Sequence, residues 1–258
     1  MLGRGVRAAR VELVERSLDV AEVKSIYDKA YGHPGIMGTH FDEEYSRVTK
    51  SRLLGYCTLS EGGRLLDLGT GDGDLWQYAD PAWVWHGLDI SEVGVRRAAG
   101  RFPELTAVVG TTERLPYGDG GFDAVVAADT LEHAFDLDAS LAEVRRVLVP
   151  GGTLALSVPA PDSLRKWGYN RLIRGRPAPS FVLRLAGVVL RRVALFGRAA
   201  FQPIDRDLGL EAWKSLLARG GFVVERCEAW PEPPLLPIVY LLAARPTEPD
   251  VAGPTAGT

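Results

Sequence analysis

Two cysteines, Cys57 and Cys227, are all that 258 residues contain. That is too few for a disulfide framework or a zinc site, and it fits reduced core thiols in a cytosolic protein. No apolar run approaches the roughly 20 residues a membrane helix needs. Residues 1–16 scatter Arg4, Arg7, Arg10 and Arg16 among small and apolar side chains where a signal peptide would need an apolar centre. A surplus of positive charge is missing as well: the net charge of −3 argues against wholesale nucleic-acid binding. The expectation is a cytoplasmic protein with no signal peptide and no ordinary transmembrane span. With 46% hydrophobic residues the chain can bury a full core, and it reads as one domain carrying an insertion.

The organising stretch is Arg64 to Asp74, RLLDLGTGDGD. Leu65, Leu66 and Leu68 form a short apolar run that suits a buried parallel strand. Gly69, Gly71 and Gly73 follow at GxGxG spacing, and a helix is expected from about Leu75. A strand, a glycine turn and a helix start let backbone approach a nucleotide closely, because glycine has no Cβ and accepts positive φ. The spacing differs from the GxGxxG of dinucleotide binders. Asp67, two residues before the first glycine, suits a cationic ligand group better than a pyrophosphate.

Upstream, residues 17–31 place Val20, Val23, Ile26, Tyr27 and Ala30 at helical spacing, with Ser17 or Asp19 as cap. A second helix is expected over Asp42 to Gly55, with Tyr45, Val48, Leu53 and Leu54 inward. The two helices could lie over a ligand site as a lid with Tyr27 and Tyr31 as its aromatic wall, or simply pack on the sheet. Downstream, strands are expected near 83–90, 106–109, 122–128 and 153–158, with helices over 91–101 and 138–148 between them. Asp89 closes the second strand 16 residues beyond Gly73, where a doubly wound fold presents a carboxylate to ribose hydroxyls. A helix over 210–219 and two final strands, 222–227 and 238–243, complete the pattern as an antiparallel edge. Such alternation implies an α/β fold: a Rossmann-like, doubly wound, mostly parallel seven-stranded sheet. Asp67, Asp89, residues Thr111 to Glu113, and Asp129 all fall at the carboxyl ends of strands, where such sheets bind ligands.

These motifs resemble the class I S-adenosylmethionine-dependent methyltransferases, particularly the group that includes the ubiquinone and menaquinone methyltransferases. The likeness rests on LLDLGTGDG at 65–73, LDIS at 88–91, LPYGDGGFDAVVAADTLEH at 115–133 and LVPGGTLALSVP at 148–159. It covers Arg64 to Pro159 closely and Leu210 to Ala244 more loosely. The resemblance implies S-adenosyl-L-methionine as cofactor and an enzyme that methylates a small molecule on oxygen or nitrogen. By the same resemblance, Gly69 and Gly71 meet the methionine part, Asp67 its ammonium, Asp89 both ribose hydroxyls and Ile90 the adenine face. Thr112 and Glu113 fall at the adenine edge, and Asp129 faces the methionine or the acceptor. Thr111 departs from the family, which often has aspartate there; a hydroxyl accepts less strongly from the adenine amino group.

Methyl transfer needs alignment and dryness more than nucleophilic side chains, and near-attack positioning can supply about 7–11 kcal/mol. A general base adds about 10²–10⁴-fold where the acceptor loses a proton. His133 is the candidate base, being after the fourth strand with a pKa suited to neutral pH; the alternative is that it packs the next helix. His33 and His40 are weaker candidates, and His86 reads as structural. No metal site is expected.

A composition shift marks residues 163–204. Arg165, Lys166, Arg171, Arg174, Arg176, Arg184, Arg191, Arg192 and Arg198 lie there without one acid, leaving −12 on the rest of the chain. Residues 181–201 read as a helix striped by Arg184, Arg191 and Arg198. It could meet an anionic acceptor, lie peripherally on an anionic membrane admitting a lipid-like acceptor, or pack on the sheet or in a homodimer. The organisation expected is a helical lid over 1–60, a cofactor-binding core over 61–162, the basic helical insertion over 163–204, the remaining core over 205–245 and a disordered tail over 246–258. Two other functions share these features: a nicotinamide-dependent oxidoreductase, against which the glycine spacing counts, and a non-catalytic cofactor-binding protein.

Overall fold

In a computed structural model of the chain, the described residues are 19–32, 43–160, 204, 206, 208–230 and 239–247. Two helices come first, α1 (Val20–Gly32) and α2 (Glu43–Tyr56). The sheet unit follows as β1 (Arg64–Leu68), β2 (Val84–Asp89), α3 (Glu92–Arg101), β3 (Thr106–Val109), β4 (Phe122–Ala128), α4 (Leu137–Val147) and β5 (Leu148–Pro159). It ends with α5 (Leu210–Arg219), β6 (Phe222–Trp230) and β7 (Val239–Pro246). The basic segment 163–204, the membrane-facing helix proposed over 181–201, and His33 and His40 lie outside the described residues, apart from Ile204.

The seven strands run in the order β3-β2-β1-β4-β5-β7-β6. β1 to β5 are parallel, while β7 lies antiparallel between β5 and β6. The winding direction reverses at β1, which has β2 on one side and β4 on the other, so a crevice opens above their carboxyl ends. The period-two geometry of strands explains why the apolar runs are continuous. Leu66, Leu68, Val125, Ala127, Leu154 and Leu156 face one core, shared with Leu141 and Val144 of α4 and Trp213 of α5. Their neighbours Leu65, Ala124, Val126 and Ala155 face the other, shared with Leu53 and Leu54 of α2.

Caps follow the sequence. Asp19 accepts from Glu22 N at 2.7 Å, Ser91 from Gly94 N at 3.1 Å and Asp136 from Ala139 N at 3.0 Å. Three expectations are corrected. The helix after the glycine turn is only a short 3-10 segment, Asp74–Tyr78. β5 begins at Leu148, because Pro150-Gly151-Gly152 forms a bulge inside the strand; pairing jumps from Phe122↔Leu148 to Ala124↔Thr153. Pro246 ends β7, and Thr247 donates its amide to Gly221 O at 2.8 Å, so ordered chain extends past the expected start of the tail.

Candidate functional site

The glycine turn starts where β1 ends. Gly69 N and Thr70 N both donate to Leu88 O of β2, at 2.7 and 3.0 Å, folding the turn across the neighbouring strand. Gly69, Gly71 and Gly73 have φ of +74°, +54° and +83°. Sterics demand glycine at the first two for a reason internal to the chain. A Cβ on Gly69 would lie 2.4 Å from Thr130 Oγ1, and one on Gly71 would lie 2.2 Å from the Tyr31 hydroxyl. Thr130 and Tyr31 thus fill the space that the sequence alone left open for a ligand.

Around this turn lies a cavity of about 380 Å³. All twelve residues singled out from the sequence line it: Asp67, Gly69, Gly71, Asp89, Ile90, Thr111, Thr112, Glu113, Asp129, His133, Tyr27 and Tyr31. They do so on different terms. Asp89 is buried; its Oδ2 accepts from Gly71 N at 2.9 Å and its Oδ1 from Ser91 N at 2.7 Å. Those two amides fix the carboxylate while each oxygen keeps a lone pair for another donor. Burial pushes the Asp89 carboxyl up to about 6 despite the amides, and pushes Asp67 up to about 7 despite hydrogen bonding with Thr70 and the attraction of Lys50. Two buried carboxyls this reluctant to ionise alone are suited to a ligand that brings hydroxyl and ammonium donors.

Asp129 stands at the end of β4 with φ +50°, the one non-glycine positive φ among the described residues. Its carboxylate is held from both sides, accepting from Tyr45 Oη at 2.7 Å and Ser157 Oγ at 2.8 Å. Its amide donates to the same Ser157 Oγ at 2.9 Å. Glu113 uses its carboxylate on the chain itself, accepting from Phe135 N at 2.6 Å and Asp136 N at 3.2 Å. Thr112 Oγ1 lies 2.8 Å from Ser140 Oγ of α4, and Thr111 bridges back to Arg114. His133 sits in a short 3-10 turn, Leu131–His133. Its Nδ1 is 2.6 Å from Ile204 O, which can only accept, so Nδ1 carries the proton. Its Nε2 lies 3.6 Å from Glu132 Oε1, a fully buried carboxyl. Arg206 ties the same turn by donating to the carbonyls of Ala134 and, at 2.8 Å, Phe135.

Among the lining residues that sequence reasoning passed over are Ser46, Lys50 and Asp74. Ser46 and Lys50 of α2 are one helical turn apart and face Asp74, which accepts from Ser46 Oγ at 3.1 Å, from Lys50 Nζ and from Gln77 Nε2. The available signal was register: a serine and a lysine four residues apart beside the inward-facing Tyr45 and Leu53.

The geometry can be set beside known proteins. A methyltransferase-domain family matches residues 66–156. The ubiquinone/menaquinone biosynthesis C-methyltransferase UbiE of Burkholderia mallei is 30% identical over 150 residues, 55% of this chain and 61% of that protein. The chain therefore spans about three fifths of the length of the curated relatives it matches. Among solved structures, the S-adenosylmethionine dependent methyltransferase from Mesorhizobium loti superposes with a TM-score of 0.55 at 22% identity, covering 75% of this chain and 95% of that one. The [4+2]-cyclase SpnF superposes at 0.58 and 19% identity, over 87% and 92%. At these identities the superpositions carry the fold alone. No helix among the described residues is long and apolar enough to cross a membrane. Residues 66–156, which carry the glycine turn together with Asp89 and Asp129 of the switch-point cavity, are thus similar to a methyltransferase domain.

Proposed function

We propose that the protein transfers a methyl group from S-adenosylmethionine to a small-molecule acceptor. The observation that carries this reading is the convergence of Asp67, the glycine turn, Asp89 and Asp129 on one cavity at the switch point of the sheet. The donor supplies a methyl group on a positively charged sulfur, open to in-line displacement by a nucleophilic atom. Oxygen and nitrogen acceptors were the expectation; the Burkholderia relative, a C-methyltransferase by name, adds carbon. In this reading Asp89 accepts the ribose hydroxyls and Asp67 the ammonium. Ile90 covers the adenine, and Thr111 and Thr112 border it. Tyr27 and Tyr31 on α1 close the cavity against water. The hydrogen bond from His133 Nδ1 to Ile204 O favours a positioning role, with the imidazole holding Ile204 against the cavity wall. Glu113, engaged by two backbone amides, likewise shapes the wall.

Calorimetric titration tests the reading. Micromolar binding of S-adenosylmethionine and S-adenosylhomocysteine, with none of NADH, is expected; binding of NADH instead would replace the methyltransferase by an oxidoreductase. A protein that bound both adenosyl ligands yet methylated nothing would be a non-catalytic cofactor-binding protein.

The raised carboxyls add a pH signature. The ionised forms of Asp89 and Asp67 accept more strongly from hydroxyls and attract an ammonium, so affinity is expected to fall as pH drops from 8 through about 7 and 6. The stability of the ligand-free protein runs the other way. An unfolded aspartate titrates near 3.9 (about that value in peptides). A folded value raised above it gives stabilisation that is present at low pH and lost as pH rises through about 6 to 7. Titrations at pH 6 and 8, beside thermal melts of wild type and Asp67→Asn, check both signs. Equal affinity at the two pH values would show that these carboxyls do not face the ligand.

A further inference from the structure

Six carboxylates line the cavity, and Lys50 is the one lysine or arginine among the described lining residues. Five of the acids are held by hydrogen bonds or ion pairs, and the sixth, Asp67, has Thr70 and Lys50 beside it. Asp89 and Glu113 hold backbone amides, Asp129 holds two hydroxyls, and Asp72 pairs with Arg101 at 3.2 Å. Asp74 pairs with Lys50 but also accepts from Ser46 and Gln77, so it keeps two neutral donors if the ammonium is shared. The Lys50 ammonium has three protons and an ion pair with Asp74; its side chain is only 16% exposed. It is also near enough to Asp67 to favour that group's charged form. Asp67 of β1 and Lys50 of α2 thus line the same cavity as an acid and a cation that influence each other.

An α-amino acid end is a zwitterion: its ammonium needs an acid and its carboxylate needs a cation. In a cavity dominated by carboxylates, that carboxylate is repelled everywhere except beside Lys50. We propose that Lys50 binds the α-carboxylate of the adenosyl ligand's amino-acid end, dividing its protons between that carboxylate and Asp74. The inference rests on the proposed cofactor and adds a binding residue on α2, outside the matched methyltransferase segment. It makes α2 part of the binding machinery, and the cavity selective for ligands that carry both charges.

The test compares S-adenosylmethionine with its decarboxylated form, which keeps the sulfonium and the ammonium but lacks the carboxylate. Both are titrated calorimetrically into wild type, Lys50→Met, Lys50→Gln and Lys50→Arg. A charge-assisted hydrogen bond supports an expected loss of about 10- to 100-fold for S-adenosylmethionine in the Met and Gln variants. The decarboxylated ligand should bind those variants as well as wild type or better, since a repelling charge is gone. Lys50→Arg should recover most of the affinity for S-adenosylmethionine. The readout is the ratio of the two affinities within each variant, so a partly unfolded preparation lowers both values and leaves the ratio intact. Equal losses for the two ligands, or no loss for either, would overturn the assignment. Wild type that binds neither ligand would instead overturn the cofactor, and Lys50's role with it.

Discussion

Asp89→Ala is expected to weaken S-adenosylmethionine and S-adenosylhomocysteine by about 10²–10⁴-fold. Two hydrogen bonds to one charged acceptor, at about 1.5–3 kcal/mol each, set that range, with tenfold for every 1.4 kcal/mol. The geometry explains why a neighbouring acid does not compensate. Gly71 N and Ser91 N hold the Asp89 carboxylate at the end of β2, and both amides lose their acceptor with it. Those orphaned amides cost stability, while removing a carboxyl whose burial raises it to about 6 relieves some of that cost. The melting temperature should therefore move far less than the affinity. Calorimetry and thermal melts on the same preparation separate the two; an affinity within fivefold of wild type would take Asp89 out of the ribose subsite.

Gly69→Ala is expected to destabilise the whole protein by about 2–5 kcal/mol, combining left-handed backbone strain with overpacking. The new methyl would meet Thr130 Oγ1, whose hydroxyl is anchored to Leu68 O at 2.9 Å and has no room to retreat. Gly71→Ala differs because its obstacle is the Tyr31 hydroxyl, on a helix outside the sheet. Adding Tyr31→Phe removes the 2.2 Å contact and leaves the ring carbon at 3.0 Å. The double variant should regain a large part of what Gly71→Ala loses, whereas Tyr31→Phe should do nothing for Gly69→Ala. Urea denaturation of the four proteins decides it; rescue of both glycine variants, or of neither, would contradict this packing.

The parallel core was legible because its signals are local and repeated. Leu65 to Leu68 and Phe122 to Ala128 are apolar on both faces, and only a covered parallel strand has use for that. The acids at the strand ends were legible for a related reason: Asp67, Asp89 and Asp129 each interrupt or close an apolar run, and strand ends share one edge of the sheet. Partnerships across the fold were not. Nothing in the spacing of Glu113 reveals that its carboxylate turns to the amides of Phe135 and Asp136. Nothing near Gly71 reveals that a tyrosine 40 positions earlier claims its side-chain space. Lys50 was invisible for the same reason, since a lysine on an amphipathic helix ordinarily points to water. The strand expected over 153–158 begins earlier, at Leu148, because Pro150, Gly151 and Gly152, which usually interrupt regular structure, form a bulge inside it.

The position of β7 orders events during synthesis. Among the described residues β6 has β7 as its sole strand neighbour, and β7 is made after it. While the ribosome is still translating residues before Val239, β5 is the open border of a five-stranded parallel sheet and β6 has nowhere to dock. The nascent protein thus passes through an interval in which its cofactor crevice, framed by β1, β2 and β4, can already exist while one edge of the sheet is bare backbone. That edge is covered only after β7 has been made, since β7 pairs with β5 on one side and β6 on the other. The part of the chain that performs recognition and the part that seals the sheet are therefore finished at different times.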